Sequence, residues 1–246
     1  MRSIIEARAV GDDLHSLLAQ RKLTAAYDHL SPVLTTRTSF RLLDVIGEKI
    51  GDCERQSLDL FLDQIAAGKS MGGWVVIASA LSQRFPHDLQ DAFTHTHDYI
   101  ISADTWYATD IFGERVPGPA LMQDFEHTLA LLEPWREEDN HWVRRIIGVA
   151  VHFWAKRTRG TANNTDQVRK LLSLLEPLYE EKDTAAVKGI AWGLKTLGRY
   201  YPDQVTVWLK EQVLQHGRKA RRLMTRKAMT YLPPEHVARI TEALEE

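Results

Sequence analysis

Trp106 and Asp110 are the residues whose types and spacing point most directly to chemistry. They lie four positions apart in SADTWYATDIFGERVPGP, so on a helix the indole and the carboxylate project from the same face. A carboxylate repels phosphate, so beside a nucleic-acid backbone it would face a developing positive charge, such as the oxocarbenium-like sugar formed when an N-glycosidic bond breaks. The alternatives are a helix N-terminal aspartate or an ion pair with Arg115 or Arg145, and the spacing leaves them open.

Two apolar segments further along the chain carry basic residues at helical spacing. The first stripe consists of Arg145, Gly148, His152 and Lys156, and the second of Lys188, Trp192, Lys195 and Arg199. Such stripes are usually the solvated faces of amphipathic helices. A solvated face seldom needs a large aromatic residue or a helix-weakening glycine, so we interpret the two stripes as basic faces that bind phosphates. A buried, hydrogen-bonded histidine is the alternative for His152.

A third basic patch lies at residues 218–227, where six of the ten residues are cationic. Arg218 and Arg222, or Lys219, Arg222 and Arg226, would share a helix face. Acidic clusters lie elsewhere, near residue 138, at 180–183 and at the C-terminus. The net charge of −2 excludes charge-driven binding by an overall basic protein, but this segregation is typical of a polyanion held by a local basic surface.

The apolar pattern predicts that helices position all these residues. Apolar residues recur at helical spacing along nearly the whole chain, whereas period-two alternation bounded by turn residues is hard to find. Most of the nine prolines fall between the apolar segments and predict a series of short helices. Similar units restart about every 40 residues, the period of HEAT-like helix pairs. We expect an all-α, HEAT-like solenoid, one domain over residues 1–246, with a concave basic face.

Composition and the lack of targeting segments favour a cytoplasmic globular protein. Hydrophobic residues make up 44% and charged residues 26% of the chain, and we find neither a signal peptide nor a membrane-spanning segment. The one cysteine, Cys53, excludes an intrachain disulfide or a thiolate metal cluster, and its acidic neighbours disfavour a reactive thiolate. His95 and His97 would point to different helix faces, and no glycine-rich nucleotide loop is present. We expect no metal site and no cofactor.

The sequence resembles the AlkD-type DNA alkylation repair glycosylases, which are built from HEAT-like helical repeats. The matching motifs are TWYATD, with Trp106 and Asp110; NHWVRR, with Trp142 and Arg145; and KGIAWGLKTLGRYYPD, with Trp192. The basic segment RRLMTRKAMTYL resembles the family's C-terminal DNA-contacting segment. The resemblance is strongest over residues 70–235; before residue 70 the chain does not reproduce the aromatic-rich start that is common in the family.

The resemblance implies hydrolysis of the N-glycosidic bond of cationic N3- or N7-alkylated purines in double-stranded DNA. It implies that Asp110 acts in excision, that Trp106 and Arg145 line the DNA groove around the lesion, and that Trp192 contacts the damaged nucleotide or its backbone. The further residues expected to bind DNA are His152, Lys156, Lys188, Lys195, Arg199, Arg222 and Arg226. A solenoid with capped ends can work as a monomer, which we expect. The alternatives are a non-catalytic DNA-binding protein and a protein-interaction scaffold.

Overall fold

The computed structural model describes residues 1–216 and 222–245, and the regular elements in these ranges are all helical. This confirms the all-α prediction and is consistent with a helical-repeat solenoid. The chain divides into two compact units, Met1–Val116 and Pro117–Glu246. A single domain over residues 1–246, with a 40-residue repeat, stays a prediction.

The first unit is a series of short helices in which alternate helices pack together. They are α1 (Ile4–Ala19), α2 (Leu23–Thr35), α3 (Phe40–Ile50), α4 (Arg55–Ala67), α5 (Met71–Ser82), α6 (Leu89–Ala103) and α7 (Trp106–Arg115). In one layer α1 packs on α3, α3 on α5 and α5 on α7, while α2 packs on α4. This alternation is typical of stacked helix pairs in solenoids.

An aromatic cluster fixes α7 in the first unit. Trp74 on α5 is 1% exposed, and its ring lies 6.4 Å from that of Tyr99 on α6 and 6.1 Å from that of Phe112 on α7. Asp104 ends α6 in the left-handed conformation with a φ of 49°, and the extended Thr105 then leads into α7. This short connection makes Trp106 the first residue of α7.

The second unit repeats the alternation. Its α-helices are α8 (Pro117–Gln123), α9 (Phe125–Leu132), α10 (His141–Thr158), α11 (Thr165–Leu175), α12 (Thr184–Tyr200), α13 (Pro202–His216), α14 (Arg222–Ala228) and α15 (Pro234–Glu245). Short 3-10 helices lie at Pro134–Glu137, Ala162–Asn164, Glu176–Leu178 and Met229–Tyr231. One layer runs through α8, α10, α12 and α14, and the other through α9, α11, α13 and α15.

Glycines allow α10 and α12 to approach closely. A Cβ atom added at Gly148 would meet the backbone of Gly189 and Ile190, and one added at Gly193 would lie 2.7 Å from the Gly148 carbonyl oxygen. The interpretation of Gly148 as part of a phosphate-binding face is therefore wrong. The group that approaches this glycine is the backbone of the neighbouring helix.

The prolines separate helices in most places but not in all. Pro117, Pro202 and Pro234 each begin a helix, where the missing backbone donor would have no partner. Pro32 instead lies inside α2, which continues to Thr35. At this position the helix accommodates the loss of one backbone donor.

Candidate functional site

Trp106 and Asp110 both lie in α7, as their spacing predicts. Trp106 is the first residue of the helix and is 56% exposed. Its ring packs edge-on against that of Tyr107, with the ring centroids 5.9 Å apart. Asp110, one turn further on, is half-buried. Arg115, one of the two arginines considered as its partner, binds Asp44 through Nε at 2.7 Å and Nη2 at 3.2 Å. The first unit thus presents an exposed indole one turn from a carboxylate.

Trp192 on α12 forms the centre of a stacked pair in the second unit. Its ring lies 4.0 Å from the imidazole of His152 on α10, and the two planes are inclined by 27°. His152 Nδ1 lies 2.8 Å from Thr196 Oγ1, and this hydroxyl donates to the Trp192 carbonyl at 2.8 Å. These contacts hold the half-buried indole between two helices.

His152 is uncharged at neutral pH. Burial, together with the charges of Lys156 and Lys195, lowers the pKa of its imidazole to about 4. The side chain is also only 7% exposed. A buried and uncharged ring is poorly placed to neutralise a phosphate, so we assign His152 to the support of Trp192 instead of the DNA contact expected from its stripe.

Two adjacent arginines of α10 have different surroundings. Arg144 pairs with Glu181 at 2.5 Å and also donates to the backbone carbonyls of Glu138 and Asp139. Arg145 is 6% exposed, and its Nη1 donates to the Ala185 carbonyl at 2.7 Å. The α10 stripe is therefore an open basic face only at Lys156, because Arg145, Gly148 and His152 are buried where α10 meets α12.

The α12 stripe is more accessible and meets an aromatic residue that the sequence analysis missed. Lys188 and Arg199 are exposed, and Lys195 is half-buried. Lys195 Nζ lies 5.2 Å from the centroid of the Tyr231 ring, and the Arg199 guanidinium carbon lies 5.6 Å from the same centroid. Tyr231 belongs to the segment RRLMTRKAMTYL, which resembles the family's C-terminal DNA-contacting segment. This was the signal in the sequence that could have identified Tyr231 as a candidate.

The third patch is described only in part. Arg222 and Arg226 lie one turn apart on α14 and are exposed, whereas Arg218 and Lys219 lie outside the described residues. Within residues 1–216 and 222–245, no carboxylate pairs with six of the cations that were expected to bind DNA. They are Lys156, Lys188, Lys195, Arg199, Arg222 and Arg226.

These cations, Trp192 and Tyr231 form what we call the basic aromatic face of the second unit. Its residues all lie on α10, α12 and α14, which belong to one helix layer, or on the 3-10 turn that follows α14. Unpaired cations bind phosphates, and flat aromatic rings pack against sugars and bases. The face is suited to a nucleic-acid backbone.

Residues with the donor set for a metal ion, namely His15, Asp52 and Cys53, belong to the first unit.

The comparison with protein families decides the class of the protein. A sequence model of the family described as DNA alkylation repair enzyme matches residues 58–232. The chain belongs to this family. The match includes Trp106, Asp110, Arg145 and Trp192, and it extends through α14. As a member of the DNA alkylation repair enzymes, the chain has a role in DNA repair.

No curated protein matches the chain. Among the helices of the described residues, none is both long enough and apolar enough to cross a membrane.

Proposed function

We propose that this DNA alkylation repair enzyme is a glycosylase that removes cationic N3- or N7-alkylated purines from double-stranded DNA. The observation that carries the proposal is the exposed Trp106 indole one turn from the Asp110 carboxylate, in a chain that belongs to a repair family. A carboxylate and an indole suit a sugar that becomes positively charged.

The alkylated base already carries a positive charge, which makes it a good leaving group. The bond between the sugar C1′ and the base nitrogen breaks, and the base leaves with the electron pair as a neutral purine. Asp110 stabilises the cationic sugar electrostatically or positions the water that attacks C1′. The attacking water keeps one hydrogen in the new C1′ hydroxyl and loses its other proton to solvent, and the product is an abasic sugar. This route needs no strong general acid.

The aromatic and cationic residues hold the DNA in this proposal. Trp106 packs against the deoxyribose at the first unit, and at the second unit the His152 stack keeps the Trp192 ring in one orientation for a contact with the DNA. Arg145, which the resemblance places in the DNA groove, is 6% exposed and donates to the Ala185 carbonyl, so in this proposal it holds α12 against α10 and does not bind a phosphate. Lys156, the α12 cations and the two arginines of α14 bind further phosphates.

Release of free base tests the proposed reaction. Duplex DNA treated with a methylating agent is incubated with the protein, and the supernatant is analysed for 3-methyladenine and 7-methylguanine by mass spectrometry. We expect release above the spontaneous rate, with no purine released from untreated duplex. Release that equals the spontaneous rate at saturating protein would contradict the glycosylase assignment.

A second candidate function is DNA binding without catalysis. It is favoured by the unpaired cations of the basic aromatic face, which would bind a duplex whether or not a base is released. Tight, salt-sensitive binding without base release would support this alternative. A protein-interaction scaffold, the third possibility, predicts no salt-sensitive affinity for DNA.

A further inference from the structure

Three residues with metal-binding side chains meet in the first unit, on elements other than α7. His15 lies on α1, and Asp52 and Cys53 lie in the connection between α3 and α4. The ligand atoms of the three residues all lie within 4.8 Å of one another, and His15 Nε2 is 3.6 Å from Asp52 Oδ1. The cluster therefore offers one nitrogen, one oxygen and one sulfur.

Close helix packing determines where these residues lie. A Cβ atom added at Gly11 would lie 2.6 Å from Lys49 Cβ, so α1 and α3 are in close contact one turn before His15. A Cβ atom added at Gly51 would lie 2.6 Å from Gln83 Cβ, so the start of the connection is held against the end of α5. The Cys53 amide also donates to the Ile50 carbonyl at 3.1 Å. The backbone on both sides of the cluster is thus fixed by packing.

The side chains have the freedom to close around an ion. The Asp52 side chain is 79% exposed and the His15 side chain is 44% exposed, so both can rotate towards the half-buried Cys53. Zinc binds cysteine sulfur at about 2.3 Å and histidine nitrogen or carboxylate oxygen at about 2.0–2.2 Å, which requires the three ligand atoms to move closer together. Rotation of the exposed Asp52 and His15 side chains is the movement that a bound ion would require.

The donor set and the local charge select the class of ion. Calcium and magnesium prefer oxygen ligands, whereas zinc and similar borderline ions accept imidazole and thiolate together. Lys49, which packs against Gly11, is bound by Asp12 at 2.8 Å, so its ammonium group is neutralised by a carboxylate on α1. A divalent cation at the cluster is attracted by the negative charge of Asp52. Its binding to the Cys53 sulfur displaces the thiol proton, which passes to solvent.

We propose that His15, Asp52 and Cys53 form a binding site for one divalent transition-metal ion of the zinc type. The ion joins α1 to the connection between α3 and α4, and water completes its coordination. This inference is independent of the proposed glycosylase activity. It departs from the expectation of no metal site, because 36 residues separate His15 from Asp52 and no spacing motif connects them.

Cobalt(II) is the probe that tests the site, because a thiolate bound to cobalt gives a charge-transfer band in the near ultraviolet. The full chain is titrated with Co²⁺ and then with Zn²⁺. We expect one Co²⁺ per chain, a thiolate band, and loss of that band on addition of one equivalent of Zn²⁺. Absence of a thiolate band in the native protein would overturn the proposal.

Three variants assign the ligands. Cys53→Ser should abolish the band, and His15→Ala and Asp52→Asn should each weaken Co²⁺ binding at least about tenfold. His29→Gln is the matched control. His29 lies on α2, and its Nε2 forms a comparable histidine–carboxylate pair with Asp13 of α1 at 3.4 Å. The affinity of this variant should equal that of the native protein.

The two exposed ligands keep the test decisive if Cys53→Ser fails to fold by circular dichroism. Unchanged affinity in both His15→Ala and Asp52→Asn would mean that the thiol takes up the metal alone, and the three-residue site would be wrong.

Discussion

The imidazole of His152 stacks on the indole of Trp192, with their ring centroids 4.0 Å apart. The pair joins α10 to α12 in the layer that carries the basic aromatic face. Lys156 and Lys195 lie close enough to lower the pKa of the imidazole further than burial alone does. The stack is therefore made with an uncharged ring, and it depends on pH.

Lowering the pH should destabilise the protein through His152. The pKa of this imidazole is lowered to about 4 in the folded state, against about 6.5 in an unfolded chain. Between these values the unfolded state binds more protons, so this contribution is complete above pH 6.5 and is lost as the pH falls through 4. We expect a loss of roughly 2–3 kcal/mol in the free energy of unfolding from about pH 7.5 to about pH 4.5.

Urea unfolding of the native protein and of His152→Gln at the two pH values measures this contribution. The variant lacks the titrating group, so its stability should fall less over the same range. Equal losses in both proteins would show that His152 does not titrate with a lowered pKa.

Replacing Gly148 with alanine should separate α10 from α12. The new methyl group would meet the backbone of Gly189 and Ile190, which can yield only if one helix moves. We expect a loss of about 2–4 kcal/mol in the free energy of unfolding. Gly72→Ala is the control. The atom nearest to its new methyl group would be Leu43 Cδ1 at 3.3 Å, and the leucine side chain can adjust. Chemical denaturation should show little change or a small gain for Gly72→Ala, and equal effects of the two substitutions would contradict this account.

Arg144 should contribute to stability through Glu181. The Glu181 side chain is 7% exposed, and although burial opposes its ionisation, the hydrogen bond from Arg144 and that from the Asp183 amide keep its pKa below the usual value. Arg144→Met would leave this carboxylate buried without its cation, and we expect a cost of about 3–5 kcal/mol. Thermal unfolding of Arg144→Met and of the double variant Arg144→Met, Glu181→Leu tests the cause. The double variant should recover most of the loss, and no recovery would argue against the ion pair as its source.

Neutralising the exposed cations of α12 should reduce the salt dependence of DNA binding. Each phosphate contact contributes about 0.9 to the slope of log affinity against log salt, so Lys188→Gln and Arg199→Gln should each lower the slope by about one. Lys170→Gln is a matched control, since Lys170 lies on α11 in the other layer and pairs with Glu126 at 2.6 Å. Fluorescence anisotropy with a labelled duplex at several salt concentrations gives the slopes. The DNA-binding role of the face would be wrong if Lys188→Gln and Arg199→Gln both kept the native slope, which Lys170→Gln is expected to keep.

The sequence predicts the helices of the candidate site better than their packing. Helical spacing correctly predicts α7, α10 and α12, and it correctly groups Arg145, Gly148 and His152 on one face. Spacing within one helix cannot reveal what that face contacts. The face is buried because Gly148 meets Gly189, 41 residues later, which only the fold brings together.

The aromatic partners and the cluster of His15, Asp52 and Cys53 depend on separations of similar length. Lys195 lies over the Tyr231 ring although Tyr231 comes 36 residues later in the chain, and His15 reaches Cys53 from a different helix pair. Periodicity reports only neighbours within an element. Contacts of this kind follow from the stacking of alternate helices, which fixes distances that the sequence leaves open.

The role of Asp110 is the central claim of the functional account, and base release by Asp110→Asn tests it most directly. The native protein and the variant are compared on methylated duplex DNA, at protein concentrations that give equal DNA occupancy. The substitution keeps the size of the side chain and removes its charge, so binding should persist while release of methylated purine falls by at least about a hundredfold. Release by the variant at the native rate, under matched binding, would contradict the assignment of Asp110 as the residue that stabilises the sugar cation.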